Sequence, residues 1–191
     1  MRVLVLWADE RSPNLGVRAL ARGSRDLIRT VWADAEVEFA DFTSRPPEVP
    51  WGRVRSLVRE RATGRLGMKR WLEGFDLVWD TRSGDSFSDI YGSHRHSVMS
   101  GVHEFAAQAG RPVVMSPQTI GPFATGTGRM LARRSLRRSA LVFARDPVSA
   151  AAAASLRRPV DAVTSDLAFA IAPPEQVDRS RDVILNVSGL L

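Results

Sequence analysis

Short, nearly continuous apolar runs alternate along this chain with longer stretches whose apolar residues recur every three to four positions. Residues 2–7 form the first run, apolar enough for a central strand buried on both faces. Residues 15–31 show helical spacing at Leu15, Ala19, Leu20, Leu27 and Ile28. Further strands are expected at 36–39, 77–79, 112–115, 141–144 and 162–164. Further helices are expected at 94–109, 128–138 and 148–156, the last rich in alanine. Residues 50–72 are arginine-rich, helical in parts and broken by Gly64 and Gly67, so they read as a mobile excursion. This alternation predicts an α/β fold, a Rossmann-like parallel sheet with flanking helices.

Beyond Phe169 the texture changes. Residues 172–182 contain Pro173-Pro174 and mixed charges and read as a linker, and 183–191 as the first strand of a second, truncated domain. The organisation expected is therefore an N-terminal domain over 1–171, that linker, and the beginning of another lobe.

The unusual polar segments each follow a strand. "SPNLG" (12–16) follows the first run, "SGDSFSDIYG" (83–92) the third, "PQTIGPF" (117–123) the fourth, Arg145-Asp146 the fifth and Ser165-Asp166 the last. In an open parallel sheet ligands bind outside the carboxyl ends of the strands, so these segments are expected to converge on one rim.

Composition narrows the chemistry. The 191 residues carry a formal charge of +6, and no cysteine is present, which removes disulfides, thiolate metal sites and a cysteine nucleophile. No run is long enough for a membrane span and the N-terminus opens as a strand, so a cytoplasmic protein is expected. Two stretches hold much of the basic excess, one across 53–70 and one at Arg129, Arg133, Arg134, Arg137 and Arg138. A solvated helix face is the plain reading of the second. Attraction to phosphorylated substrates or to an anionic membrane surface, giving membrane-peripheral contact, is the sharper one. Nucleic acid is not expected as a partner, since no recognition motif accompanies the arginines.

Within the segments, Asn14 is a candidate helix cap, and Gly16 allows close backbone approach at an anion- or hydroxyl-binding helix start. Asp85, Ser86 and Asp89 suit hydrogen bonding to sugar hydroxyls, or alternatively an Asx/Ser turn that caps the next helix. Gln118 and Thr119 lie between prolines, with Gly121 following, in a pre-organised loop expected to line the cleft. Asp146-Pro147 reads as N-cap and first helical residue, leaving Arg145 to bind a carboxylate or phosphate or to pair with Asp166 or Asp85. His94 and His96, with Asp85, are candidate acid–base groups; no metal site is expected.

Taken together, "SPNLGVRAL" (12–20), "GDSFSDIYG" (84–92), "PVVMSPQTIGPF" (112–123), "VFARDPVS" (142–149) and "SDLAF" (165–169) resemble the polysaccharide pyruvyl transferase family. The resemblance implies the first lobe of a two-domain architecture of the GT-B type. It implies transfer of a pyruvyl group from phosphoenolpyruvate, a donor substrate with no further cofactor, to a sugar hydroxyl of a cell-surface polysaccharide or its precursor, forming a ketal. The partners implied are a small anionic donor, a sugar acceptor, and a missing C-terminal lobe or a second copy of the chain. A GT-B glycosyltransferase using a nucleotide-sugar, or a non-catalytic sugar- or anion-binding remnant, are the alternatives. Two departures stand out: Val17 where many members have Asp, and Thr81-Arg82-Ser83 where a glycine-rich turn is common. Arg82 is expected to narrow the pocket or add an anion contact.

Overall fold

The computed structural model describes residues 1–42 and 53–172. One sheet is built from β1 (Arg2–Leu6), β2 (Glu36–Ala40), β3 (Leu77–Asp80), β4 (Val113–Gln118), β5 (Leu141–Ala144) and β6 (Ala162–Val163). The strand order is β2-β1-β3-β4-β5-β6, and every neighbouring pair is parallel. The helices are α1 (Leu15–Val31), α2 (Val54–Thr63), α3 (Met68–Leu72), α4 (Ser93–Gln108), α5 (Gly126–Arg138) and α6 (Pro147–Ser155), followed by one 3₁₀ turn at Leu167–Ala170. The Rossmann-like α/β expectation holds. The expected strand and linker beyond Ala172 lie outside the described residues.

Alternation along β1 divides the core. Val3 and Val5 pack with Leu20 and Ile28 of α1 and with Leu167, whereas Leu4 and Leu6 pack with Val78 and with Val98 and Val102 of α4. A third cluster, against the helices that follow β4 and β5, joins Phe87 and Met115 to Leu136 and Ala153. The central strands β1, β3 and β4 are thus covered on both faces, as their continuous apolar runs require.

Two expectations change. The arginine-rich stretch, where described, is not a mobile excursion. Leu57, Met68 and Leu72 are buried in the core, and the buried Glu60 carboxylate accepts the Leu66 backbone N–H at 2.8 Å. Gly64 and Gly67 do break it into two helices, because both adopt the left-handed backbone that a β-carbon disfavours. Leu57, Met68 and Leu72 share a core cluster with Val98 and Val102 of α4, while Val58 stays exposed. The fourth strand also runs three residues further than expected, to Gln118. Its register shifts between Met115 and Gln118, where Pro117 has no N–H to give the ladder.

The order of strands decides where a ligand can enter. The chain runs outward from β1 to β2, then crosses back to β3 on the other side of β1. The loops leaving β1 and β3 therefore diverge, opening a crevice at the carboxyl ends of the two strands.

Candidate functional site

A crevice of about 360 Å³ occupies that switch point, lined among others by Asn14, Gly16, Gly84, Asp85, Arg95, Arg145 and Asp166. This volume falls at the lower end of the range for small-molecule sites. Five of the residues expected from sequence (Asn14, Gly16, Asp85, Arg145 and Asp166) come together here, from the loops after β1, β3, β5 and β6.

Each is held by a local device. Asn14 caps α1, its side-chain oxygen accepting the N–H groups of Gly16 at 2.8 Å and Val17 at 3.2 Å. Asp146 caps α6 by accepting the Ser149 N–H at 2.7 Å, with Pro147 in the first turn. That bond, with the Ser149 hydroxyl and Arg145, holds the Asp146 carboxyl below the usual carboxylate range, burial opposing only in part. Arg145 leaves the end of β5 and donates from Nη1 to Asp166 at 2.9 Å, the internal ion pair that was one of its two sequence readings. Asp166 in turn accepts the Ala168 N–H and starts the 3₁₀ turn. Asp85 accepts from the Tyr91 hydroxyl at 2.7 Å and from Ser86 at 3.2 Å. The Tyr91 hydroxyl is consequently pushed above its ordinary pKa, with burial adding to the effect.

The loop carrying Asp85 has an unusual backbone. Arg82, Ser83 and Gly84 have φ of 47°, 53° and 81°, three successive left-handed residues of which only one is glycine. A non-glycine residue in that region costs on the order of 1–2 kcal/mol. The compensation lies in the core. Arg82 is fully buried; its guanidinium pairs with Asp80 at 2.9 Å, donates to Ser100 and Ser135, and sits 4.5 Å over the Phe87 ring. Asp80 also accepts from His103 Nδ1 at 2.7 Å. Burial works against ionising Asp80, but the Arg82 charge and the His103 and Arg82 hydrogen bonds outweigh it and hold the carboxyl low. Burial is also the main influence on His103, which is held below the ordinary histidine value despite Asp80. The expectation that Arg82 enters the pocket is corrected: it points inward and anchors the turn, while Ser83, Gly84 and Asp85 face the crevice.

Other expected site residues lie elsewhere. Asp89 accepts from the Ala124 N–H, the Thr125 N–H and the Thr125 hydroxyl at 2.7–2.9 Å, and these bonds, that of the Thr125 hydroxyl foremost, lower its carboxyl to about 2. It ties the site loop to the start of α5 and does not line the crevice. Thr119 and Gly121 brace the same loop through their backbones, donating to Gly84 O at 2.9 Å and Phe87 O at 2.8 Å. Gln118 is fully buried, with neither amide atom hydrogen-bonded, and lies beside Ala144 at the end of β4 and not on the crevice wall. Ser86 is buried and does not line the crevice. His96 is a core residue, 1% exposed, with Nε2 3.1 Å from Gly128 O and its ring against Phe87 and Phe123. Burial, aided by the Arg82 charge, lowers its pKa. Neither it nor the exposed His94 lines the crevice. Among the described residues no three His, Cys, Asp or Glu side chains gather as a metal-ligand set.

Arg95 was not foreseen. It was passed over between two histidines in "GSHRH", one turn into α4, where only the helix direction reveals that it reaches the crevice. A second concave surface lies between α5 and α6, lined by Arg129, Arg133, Arg134, Arg137, Arg138 and Arg157 around the exposed Met130. Glu104 pairs with Arg134 at 2.7 Å and lies 3.8 Å from Arg138. No helix of the described residues is long and apolar enough to cross a membrane.

A parallel α/β layer with capped helix starts, and two arginines and two aspartates around a switch-point crevice, define a domain of Rossmann-like type. The sequence pattern of the family Polysaccharide pyruvyl transferase matches residues 14–188, and the chain belongs to that family. No curated protein matches it.

Proposed function

We propose that the chain is the first lobe of an enzyme that transfers a pyruvyl group from phosphoenolpyruvate to a sugar hydroxyl, giving a ketal and releasing phosphate. One observation carries this reading: Asn14, Asp85, Arg145 and Asp166 meet at one crevice in a chain of this family. Phosphoenolpyruvate is a compact polyanion, so its binding calls for cations held in place at small cost on binding. Arg145, oriented by Asp166, has that pre-organisation, and the start of α1 adds a partial positive charge. Asp85, oriented by the Tyr91 hydroxyl, is suited to accept a hydrogen bond from a sugar hydroxyl and to align it. Protonation of the donor's methylene carbon leaves an oxocarbenium-like centre for the hydroxyl to attack, a step for which the described residues supply no assigned acid. In the two-lobe reading, that acid comes from the facing lobe.

The arginine surface between α5 and α6 fits an anionic membrane as a peripheral contact. Six arginines line it, of which Arg134 and Arg138 pair with Glu104, and Met130 offers an apolar contact among the charges.

Calorimetry with phosphoenolpyruvate and with a nucleoside-diphosphate sugar tests the main reading. Saturable binding of phosphoenolpyruvate supports it. Binding of the nucleotide-sugar alone overturns it in favour of a glycosyltransferase.

A further inference from the structure

We propose that Arg95, alongside Arg145, takes an oxyanion, carboxylate or phosphate, of the ligand in the switch-point crevice. The identity of that ligand rests on the transferase reading; the charge preference of the crevice does not.

The two pocket arginines differ in what already satisfies them. Arg145 has a carboxylate partner in Asp166. Arg95 is half-buried, and its one hydrogen bond goes from Nη2 to the Ser83 hydroxyl at 3.1 Å, a neutral acceptor whose own proton is donated to Trp7 O. Its Nε is buried with no partner. Among the described residues no carboxylate lies within ion-pairing distance of it. The nearby Asp85 is engaged by Tyr91 and Ser86. The core shows what full satisfaction looks like in the same fold: Arg82 has an aspartate and two serines.

A guanidinium removed from water without a counter-ion is costly to keep. Burial holds its pKa below the usual guanidinium value, against the opposing pull of Asp85 and Tyr91. At the same time the group is fixed in place. Its Cζ lies 4.6 Å from the centroid of the Phe42 ring and its Nη2 is tied to Ser83, the middle residue of the left-handed turn. A planar fork, immobilised and short of one anion, at the mouth of a crevice is arranged to receive a carboxylate or phosphate with little loss of side-chain entropy.

The test is calorimetry on the whole chain at fixed, low ionic strength, with phosphoenolpyruvate and inorganic phosphate as separate probes. Wild type, Arg95→Gln and Arg95→Lys are compared, with circular dichroism as the check of fold. Arg95→Gln is expected to weaken binding of whichever probe the wild type takes by at least about tenfold, the scale of one charge-assisted hydrogen bond. Arg95→Lys, which keeps the charge but not the fork, should fall between the two. If Arg95→Gln does not fold, Arg95→Lys alone decides, and it must bind at least about threefold more weakly than wild type. Phosphate binding without phosphoenolpyruvate binding, still dependent on Arg95, upholds the inference while the transferase reading fails. Binding within twofold of wild type in the variant, or no binding of either probe by the wild type, overturns it.

Discussion

Gly23 of α1 lies against the backbone carbonyl of Leu167 so closely that a β-carbon there would overlap the carbonyl oxygen. Helix α1 and the 3₁₀ turn therefore meet backbone to side-chain-free backbone, and this contact sets the height of Asp166, the residue just before Leu167. Gly23→Ala should displace the turn and cost about 1–3 kcal/mol, the usual penalty of overpacking. Urea denaturation gives the stability, and crevice binding in the folded fraction should also weaken because Asp166 no longer meets Arg145. Unchanged stability would show that the turn gives way freely.

Arg82→Ala removes the anchor of the left-handed turn and leaves Asp80 as a buried, poorly compensated charge. A loss of about 3–5 kcal/mol is expected, the range for breaking a buried pair from one side. Arg82→Ala/Asp80→Asn should recover part of it, measured in the same denaturation series. A double variant as unstable as the sum of the single ones would mean that the two residues act independently.

Asp89→Ala should lower stability by about 1–2 kcal/mol, comparable to loss of a helix cap, since Ala124 and the N-cap Thr125 of α5 lose their acceptor. Proteolysis should then begin near Ala124. Binding by the crevice should change much less, because Asp89 lies outside it.

Acid should destabilise the fold in two stages. His96 and His103 are both held below the ordinary histidine value in the native state. As pH falls below about 6.5 the unfolded chain takes up protons that the folded chain refuses, so stability declines. Asp80 and Asp89, with lowered carboxyl values, contribute stability that is present above about pH 4 and lost as pH falls further. Melting temperatures measured from pH 7.5 to 3 should decrease monotonically, and the first decline should disappear in a folded His103→Asn variant apart from the share due to His96. A flat profile from 7.5 to 5.5 would refute the first stage.

The arginine surface predicts salt-sensitive binding to vesicles containing anionic lipid and none to zwitterionic vesicles. Arg133→Gln/Arg137→Gln should weaken it by roughly 30-fold, at about 1 kcal/mol for each cation near the surface. Co-sedimentation that ignores lipid charge would rule the contact out.

What the sequence by itself determined is the succession of elements and the edge at which its polar segments would gather. Apolar runs such as residues 3–6 can be buried on both faces only as central strands, and Asn14 and Asp146-Pro147 mark helix starts by local bonding alone. Local rules could not say which polar side chains face the crevice. Arg82 and Ser83 are neighbours in a left-handed turn, yet one turns into the core and the other lines the crevice. Asp89 and His96 carry the chemistry of a site, but partners 36 and 32 positions away claim them for the scaffold. Arg95 carries none of the expected motif, and α4 brings it to the pocket. Those outcomes depend on contacts between distant segments, which exist only once the sheet has assembled and the helices have packed on it.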